Sequence, residues 1–416
     1  MAPLRALFGE DATVLKHRDF QLVLLVTVPT LLGTTVLSPV LDSLIGPFGT
    51  TTANVGLLIS AFTAPAILII PVAGAIADRI GRKPVLVASL LLFGTAGSAI
   101  AFTTDFRVAL GLRLLQGAAF AGLNPILITI VRDIFEGSAE ATGQGLRVMV
   151  AGFGQTVFAP VAGLLVVVAW QLPFLLYAMA FPIALAVLVW FVEPTDDGAS
   201  AASAHAGYTR DLLALLARRR VLALVVARGL VLVVWFGFLT FNSIVVVRLL
   251  DGSPGQAGAL VAVGSLSYAL AASQAGRVTA ALDSRLYPLL AGNGALGVGL
   301  AVFAFAPGLL LAVVGVAASS VGFGLTISLY RSAITGLAPV RLRAGLVSVA
   351  EAGGRLVATL TPIAMGAAMT GLTPALGFGT AVRTVVGGAG ILTFAVTTLC
   401  VFVAAGASGA GAATDS

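Results

Sequence analysis

The sequence predicts an all-α membrane protein with twelve transmembrane helices in two pseudo-symmetric six-helix bundles. Of its 416 residues, 59% are hydrophobic and 10% are charged, whereas a soluble globular chain carries about 25% charged residues. Apolar runs recur along the whole chain, and most have the length of about 20 residues that a helix needs to cross a bilayer. The runs are continuous rather than alternating, which favours helices over the strands of a membrane barrel.

We number the predicted helices as spans 1 to 12. In the first half they cover 20–45, 54–76, 84–103, 107–131, 144–168 and 171–192, and in the second half 222–247, 255–275, 286–306, 308–330, 344–371 and 377–404. The longest polar interruption ends in Arg218-Arg219-Arg220, and it predicts a flexible linker with a basic anchor. The predicted domains are therefore a first bundle, a cytoplasmic linker, a second bundle and a short flexible tail, at 1–192, 193–220, 221–405 and 406–416.

The distribution of positive charge predicts that both termini lie in the cytoplasm. Sixteen of the 23 Lys and Arg residues fall near the predicted cytoplasmic ends, and only Arg107, Arg248 and Arg383 fall near the outer ends. This asymmetry also explains the net charge of +6 without a nucleic-acid partner. We therefore expect a monomeric multi-pass protein of the cytoplasmic membrane, with no cleavable signal peptide, because the first apolar run is too long for one.

Composition argues against several kinds of function. The single cysteine, Cys400, and the two histidines, His17 and His205, predict neither a metal site nor a bound cofactor. The predicted spans contain no clustered nucleophiles or metal ligands, so we do not expect an enzyme. An ATP-driven pump is not expected either, because no G-x-x-x-x-G-K-[ST] loop is present. A membrane receptor that does not transport is an alternative, but it would be expected to carry a sizeable soluble domain.

A short polar hairpin joins spans 2 and 3. The stretch from Gly74 to Leu86 reads GAIADRIGRKPVL. Gly81 permits a tight reversal because it tolerates positive φ, and the cations Arg79, Arg82 and Lys83 mark the loop as cytoplasmic. The pattern G-x-x-x-D-R-x-G-R-K resembles the loop 2–3 signature of the major facilitator superfamily of secondary transporters.

This resemblance implies a gating role for the hairpin. In the family, the aspartate at the position of Asp78 approaches the amino terminus of helix 11, where the helix dipole favours a carboxylate. Arg82 would link Asp78 to an acid at the end of span 4, and Asp133 occupies that place. The residues predicted to control the conformational change are Gly74, Asp78, Arg79, Gly81, Arg82, Lys83 and Asp133.

Spans 1 and 4 resemble motifs of the twelve-helix drug/proton antiporter branch. Arg113-Leu114-Leu115-Gln116-Gly117 resembles R-x-x-Q-G, which implies a buried arginine that influences the protonation of a nearby acid. A fixed cation lowers the pKa of a neighbouring carboxyl group, and burial raises it. The stretch from Leu32 to Asp42 resembles l-g-x5-P-v-x-P, with Asp42 in place of the last proline. Asp42 is either the acid that faces Arg113 or a solvated acid at the outer interface.

Further charged residues fall inside predicted spans. Glu351 and Arg355 lie four residues apart on one face of span 11, and they form either a neutralising pair that supports packing or a second protonation site. Arg147 and Arg228 lie near cytoplasmic ends, where a long side chain can reach the membrane surface. The candidates for proton coupling are Asp42, Arg113, Glu351 and Arg355.

Span 5 carries a partial match to the G-P-x-x-G motif of superfamily exporters. Pro160 and Gly163 match, whereas Ala159 replaces the first glycine, and ordinary packing of small residues explains the pattern equally well. Residues predicted to line a substrate cavity offer aromatic surface and few charges, and they are Gln116, Asn124, Phe158, Trp235, Phe236, Asn242, Tyr268 and Tyr330.

These resemblances together imply secondary active transport of small molecules across the cytoplasmic membrane. The expected activity is proton-coupled efflux of drug-like or hydrophobic compounds, with the proton gradient as energy source and no cofactor. The alternative within the family is a proton symporter that imports a neutral or organic-acid metabolite.

Overall fold

The computed structural model describes residues 14–193, 208–282 and 284–412, without the side chains of 71–75, 78, 138, 141, 340, 344 and 407–412. Within these residues, twelve helical segments are long and apolar enough to cross a membrane. The prediction of an all-α chain with twelve spans is therefore confirmed. The chain divides into two compact units, which are described in turn.

The first unit contains spans 1–6 together with Pro254–Ala262 from the beginning of span 8. Its spans run over Arg18–Leu44, Thr52–Ile70, Arg82–Phe102, Phe106–Ile134, Thr142–Val168 and Leu172–Trp190. The helix of span 2 continues to Ile80, and that of span 5 begins at Gly137. Asp105 caps span 4, because its carboxylate accepts the backbone N–H of Arg107 at 2.7 Å.

Span 1 is interrupted. The α-helix Arg18–Thr35 is followed by a 3₁₀ turn at Ser38–Val40 and a short helix, Leu41–Leu44. Pro39 lies in this turn, and proline interrupts an α-helix because it has no backbone N–H and its ring clashes with the preceding turn. The interruption places Asp42 in a separate short helix rather than late in one continuous span.

The second unit contains spans 7 and 9–12, together with the remainder of span 8. Spans 7 to 12 run over Arg219–Leu249, Pro254–Leu282, Leu286–Phe305, Leu309–Leu337, Arg341–Leu376 and Phe378–Gly406. Spans 9 and 10 pack closely, because a Cβ on Gly299 or Gly315 would meet the backbone of the other helix. Small residues at such positions allow two membrane helices to approach each other.

The second unit also holds a helix that the sequence analysis missed. Tyr208–Leu216 lies inside the predicted flexible linker and packs against the beginning of span 11. The carboxylate of Asp211 pairs with Arg341 at 2.7 Å, and the Tyr208 hydroxyl lies against Gly345. The preceding linker residues, 194–207, lie outside the described part of the chain.

Candidate functional site

In the first unit, the hairpin forms an ion pair with the end of span 4. Arg82 Nη1 lies 3.2 Å from Asp133 Oδ2, and Arg82 is only 6% exposed. The side chain of Arg79 is exposed. Gly74 and Asp78 belong to the helix of span 2, but the surroundings of their side chains lie outside the described part of the chain. The predicted contact of Asp78 with the beginning of span 11 lies outside it as well.

The hairpin is also fastened to the end of span 6, through a residue that the sequence analysis missed. Gly81 has a φ of +95°, and the carboxylate of Glu193 lies where a Cβ on this glycine would point. This carboxylate accepts the backbone N–H of Arg82. Lys83 Nζ donates to the carbonyl oxygen of Phe191 at 2.8 Å. Glycine is therefore required at position 81 both for its conformation and for the space that it leaves.

Arg113 lies at the centre of a buried hydrogen-bond network in the first unit. It is 0% exposed. Its guanidinium group donates to the carbonyl oxygens of Gly33 and Leu58 at 2.6 and 3.1 Å, to Gln116 Oε1 at 2.6 Å and to the Tyr177 hydroxyl at 3.3 Å. These acceptors belong to spans 1, 2, 4 and 6, so one side chain ties four spans together.

The predicted facing pair between Arg113 and Asp42 is not formed among the described residues, which corrects that prediction. The guanidinium donors are taken up by the neutral acceptors of the network, and the Phe62 ring lies 4.5 Å from the guanidinium carbon, in cation–π contact. Asp42 lies half-buried in the short helix beyond the interruption at Pro39. A role for Asp42 in proton coupling stays a prediction.

Other candidates in the first unit form polar contacts between spans. Gln116 is fully buried and belongs to the Arg113 network. Arg147 Nη1 donates to Asn124 Oδ1 at 3.2 Å, so this arginine reaches span 4 instead of extending to the membrane surface as expected. Phe158 is half-buried on span 5.

The motif of span 5 lies at a close helix contact. A Cβ on Gly163 would overlap the backbone carbonyl of Pro254, and Gly258 lies equally close to the backbone of Ala159 and Pro160. The two helices therefore approach until their backbones touch. This geometry supports the interpretation of Pro160 and Gly163 as packing residues.

Gly163→Ala is accordingly expected to destabilise the protein by about 1–3 kcal/mol, because the added methyl group forces the helices apart. The matched control is Gly111→Ala on span 4, where a Cβ meets no atom within 4 Å. Thermal unfolding of the two purified variants measures the difference. Equal unfolding midpoints for both variants would show that the contact between span 5 and Pro254 carries no packing constraint.

In the second unit, two predicted cavity residues, Trp235 and Tyr268, come together with Phe323, which the sequence did not indicate. Trp235 stacks on Phe323 with ring centroids 5.1 Å apart and an interplanar angle of 15°. Tyr268 lies 5.6 Å from Trp235 and meets Phe323 edge-on at 5.7 Å. We call these three residues the aromatic cluster. A pocket adjoins it, lined in part by Ser319 and Ser320.

The other aromatic and polar candidates of the second unit do not belong to this cluster. Tyr330 is 0% exposed, and its hydroxyl group and the Asn293 side chain hydrogen-bond each other at 2.9 and 3.2 Å. It therefore packs between spans 9 and 10, and its role in a substrate cavity stays a prediction. Asn242 is likewise fully buried on span 7, and Phe236 is half-buried.

Glu351 binds two arginines from other spans. Arg228 Nη2 and Arg331 Nη2 both donate to Glu351 Oε1, at 2.5 and 2.7 Å. Arg228 also donates to the Ala350 carbonyl at 2.9 Å and is only 4% exposed. It is therefore buried among the helices, whereas the sequence suggested that it reaches the membrane surface. Arg355 interacts electrostatically with both Glu351 and Arg228. We call Arg228, Arg331 and Glu351 the charged cluster.

Comparison with solved structures agrees with this architecture. The bacterial homolog of the human lysosomal transporter Spinster superposes with a TM-score of 0.75 and 18% identity, over 93% of this chain and 95% of that one. The nucleoside transporter NupG superposes with a TM-score of 0.77 and 14% identity, over 92% of this chain and 100% of that one. At such identities the likeness shows a shared fold.

Sequence relatives cover a smaller part of the chain. The bacillibactin exporter of Bacillus subtilis is 35% identical over 150 residues, or 34% of this chain and 37% of the exporter. The quinolone resistance protein NorA of Staphylococcus aureus is 26% identical over 143 residues, again 34% of this chain and 37% of NorA. The chain thus matches little more than a third of the length of these relatives.

The family model described as Major Facilitator Superfamily matches residues 23–250, more than half of the chain. This range begins in span 1 and ends just beyond span 7, so it includes the hairpin and the Arg113 network. The chain therefore belongs to the Major Facilitator Superfamily.

Proposed function

We propose that this transporter exports hydrophobic, drug-like aromatic compounds across the cytoplasmic membrane and that the proton gradient drives export. The observation that carries the proposal is the aromatic cluster, which has a pocket beside it. We further propose that the transporter acts as a monomer without a cofactor and that both termini lie in the cytoplasm, as the distribution of its arginines predicts.

The aromatic cluster suits a planar hydrophobic ligand. Indole and phenyl rings stack on flat ring systems without fixing one orientation, so such a site accepts compounds of varied structure. The hydroxyl groups of Ser319 and Ser320 supply polar contacts at the cavity wall. Export as the direction is supported by the relatives, since both of the proteins described above bear names of export or drug resistance.

Proton coupling requires an acid whose protonation changes the balance between conformations. Asp42 and Glu351 are the candidates for this acid. Glu351 engages two arginines, so its protonation would weaken two ion pairs at once. In proteoliposomes, the conservative variant that removes the coupling acid should abolish transport driven by a pH gradient and spare exchange without a gradient. Comparing Asp42→Asn with Glu351→Gln therefore identifies which of the two acids carries the proton.

The substrate class is tested by transport of a hydrophobic aromatic dye in proteoliposomes with an imposed pH gradient. Trp235→Ala is expected to lower the initial rate about tenfold, the equivalent of 1.4 kcal/mol, and Trp235→Phe should retain most of it. Trp190→Ala is the control, because Trp190 is 52% exposed at the end of span 6. Equal rates for Trp235→Ala and Trp190→Ala would refute the aromatic site, and net uptake by intact cells would refute export.

A further inference from the structure

The charged cluster contains more positive than negative charge. Arg228 and Arg331 converge on a single carboxylate, and both donate to the same oxygen, Glu351 Oε1. Two guanidinium groups on one carboxylate leave one positive charge in excess, even before Arg355 nearby is counted. Each guanidinium group carries five N–H donors in a planar fork, so both can bind a second acceptor.

Open space adjoins these donors. A shallow cleft is lined by Arg228, Arg331 and Glu351 together with Ile334, Val347 and Ala350. Arg228 is nearly buried, whereas the side chains of Glu351 and Arg331 are 39% and 64% exposed. A small anionic group can therefore reach the guanidinium donors, against apolar walls that strengthen a charged hydrogen bond by excluding water.

The charged cluster and the aromatic cluster follow each other along the same two helices. Arg228 and Trp235 are seven residues apart on the continuous helix Arg219–Ile244, so they share a face and lie about 10 Å apart along its axis. On span 10, Phe323 and Arg331 are eight residues apart, or about 12 Å along the axis. The two clusters are thus separated by about 10–12 Å along both helices.

We propose that the charged cluster binds the carboxylate of an aromatic anionic substrate, whose ring system lies toward the aromatic cluster. Arg228 and Arg331 bind this carboxylate, and Glu351 occupies their donors when the substrate is absent. The substrate is thus an amphiphilic aromatic carboxylate rather than a neutral or cationic compound. This assignment deepens the proposed function and rests on it where it treats the ligand as a transported substrate.

The test measures equilibrium binding of naphthoate and of its neutral analogue naphthamide to the purified full-length protein, without any gradient. Naphthoate is expected to bind about tenfold more tightly, because charge-assisted hydrogen bonds to arginine are the strong ones. Arg331→Gln should weaken naphthoate binding about tenfold and leave naphthamide binding unchanged. Glu351→Gln should tighten naphthoate binding, because it removes the competing carboxylate.

Arg220→Gln is the control, because it removes the same charge from an exposed position on the helix that carries Arg228. Arg331 is well exposed, so Arg331→Gln does not depend on refolding of the core. Equal affinities for naphthoate and naphthamide would overturn the proposal. It is equally overturned if Glu351→Gln weakens naphthoate binding as Arg331→Gln does, which is what a purely structural ion pair predicts.

Binding and transport are separate readouts in this design. If naphthoate binds with the expected pattern and is not exported, the anion site stands and the proposed export fails. If hydrophobic dyes are exported and the affinity for naphthoate is unchanged in Arg331→Gln, the proposed export stands and the anion site fails.

Discussion

Replacing Arg113 with lysine is expected to reduce transport at least about tenfold, although the charge is conserved. The Arg113 guanidinium group donates to acceptors on four spans, among them the carbonyl oxygens of Gly33 and Leu58. Lysine presents its three donors from one nitrogen atom, so it cannot reach acceptors that surround a planar fork. Each hydrogen bond lost from a charged group costs about 1.5–3 kcal/mol, and one lost bond already accounts for a tenfold effect.

The functional consequence follows from where these acceptors lie. Gly33 lies just before the interruption of span 1, and Leu58 lies near the beginning of span 2. With lysine at position 113, these two helix segments lose the common donor that sets their positions. Tyr177→Phe removes the hydrogen bond from Arg113 at 3.3 Å and the ones that the Tyr177 hydroxyl donates to the carbonyl oxygens of Leu32 and Gly33 at 3.2 and 3.5 Å. It leaves both backbone acceptors of Arg113 in place, so a smaller loss of transport is expected than for Arg113→Lys.

Arg107→Lys is the matched control, since Arg107 lies exposed near the start of the same helix. Transport rates are compared at equal amounts of protein in the membrane, together with the thermal unfolding midpoint. Full activity of Arg113→Lys would show that the charge alone matters, and it would restore the idea that an acid outside the observed network pairs with it.

The amino-acid sequence predicts the spans better than the contacts between them. A spanning helix leaves a direct record, an apolar run of about 20 residues, and all twelve runs correspond to helical segments in the structure. Which face of a span meets protein leaves a weaker record, because lipid and protein interior are both apolar. Tyr330 illustrates this limit. In the sequence, a tyrosine that lines a cavity cannot be distinguished from one that is packed between helices and hydrogen-bonds a partner such as Asn293.

Charged partners are difficult to predict for a different reason. Arg228 pairs with Glu351, which is 123 residues away in sequence, and a single sequence carries no signal that joins such positions. The sequence therefore predicts a pair between Glu351 and Arg355, its neighbour on the same helix face. Arg113 shows the same limit, because four of its five donor directions lead to neutral atoms, two of them backbone carbonyls that have no sequence signature.

Short motifs that lie outside the membrane were more informative. The hairpin signature led to Arg82 and Asp133, which the structure brings together. It did not lead to Glu193, because the motif covers only one of the segments that meet there. The one sequence signal for Glu193 was its position as the first acid after span 6.

Disrupting the ion pair between Arg82 and Asp133 is expected to reduce transport about tenfold. Asp133→Asn removes the carboxylate charge, and Arg82→Gln removes its partner while leaving the backbone N–H that donates to Glu193. The pair is partly shielded, with side chains 7% and 21% exposed, so water replaces the lost partner only in part. Each single variant therefore leaves an incompletely solvated polar group at the hairpin.

The double variant distinguishes a coupled pair from two independent effects. If Arg82 and Asp133 act as one unit, the double variant should transport little worse than either single variant, with a coupling energy of about 0.5–3 kcal/mol. Exchanging the two charges is a poorer test, because an aspartate at position 82 would meet the Glu193 carboxylate, which already lies against the backbone of Gly81 and Arg82.

Arg132→Gln provides the control, because Arg132 is exposed and its replacement removes a charge directly beside Asp133 in sequence. Initial transport rates of the four proteins of the cycle are measured at matched expression, with thermal unfolding to exclude a general loss of folding. Strictly additive losses would show that Arg82 and Asp133 contribute separately. A non-additive loss of transport with unchanged unfolding midpoints would instead place the contribution of the pair in the transport cycle, since an ion pair that serves only folding would lower the midpoint and the rate together.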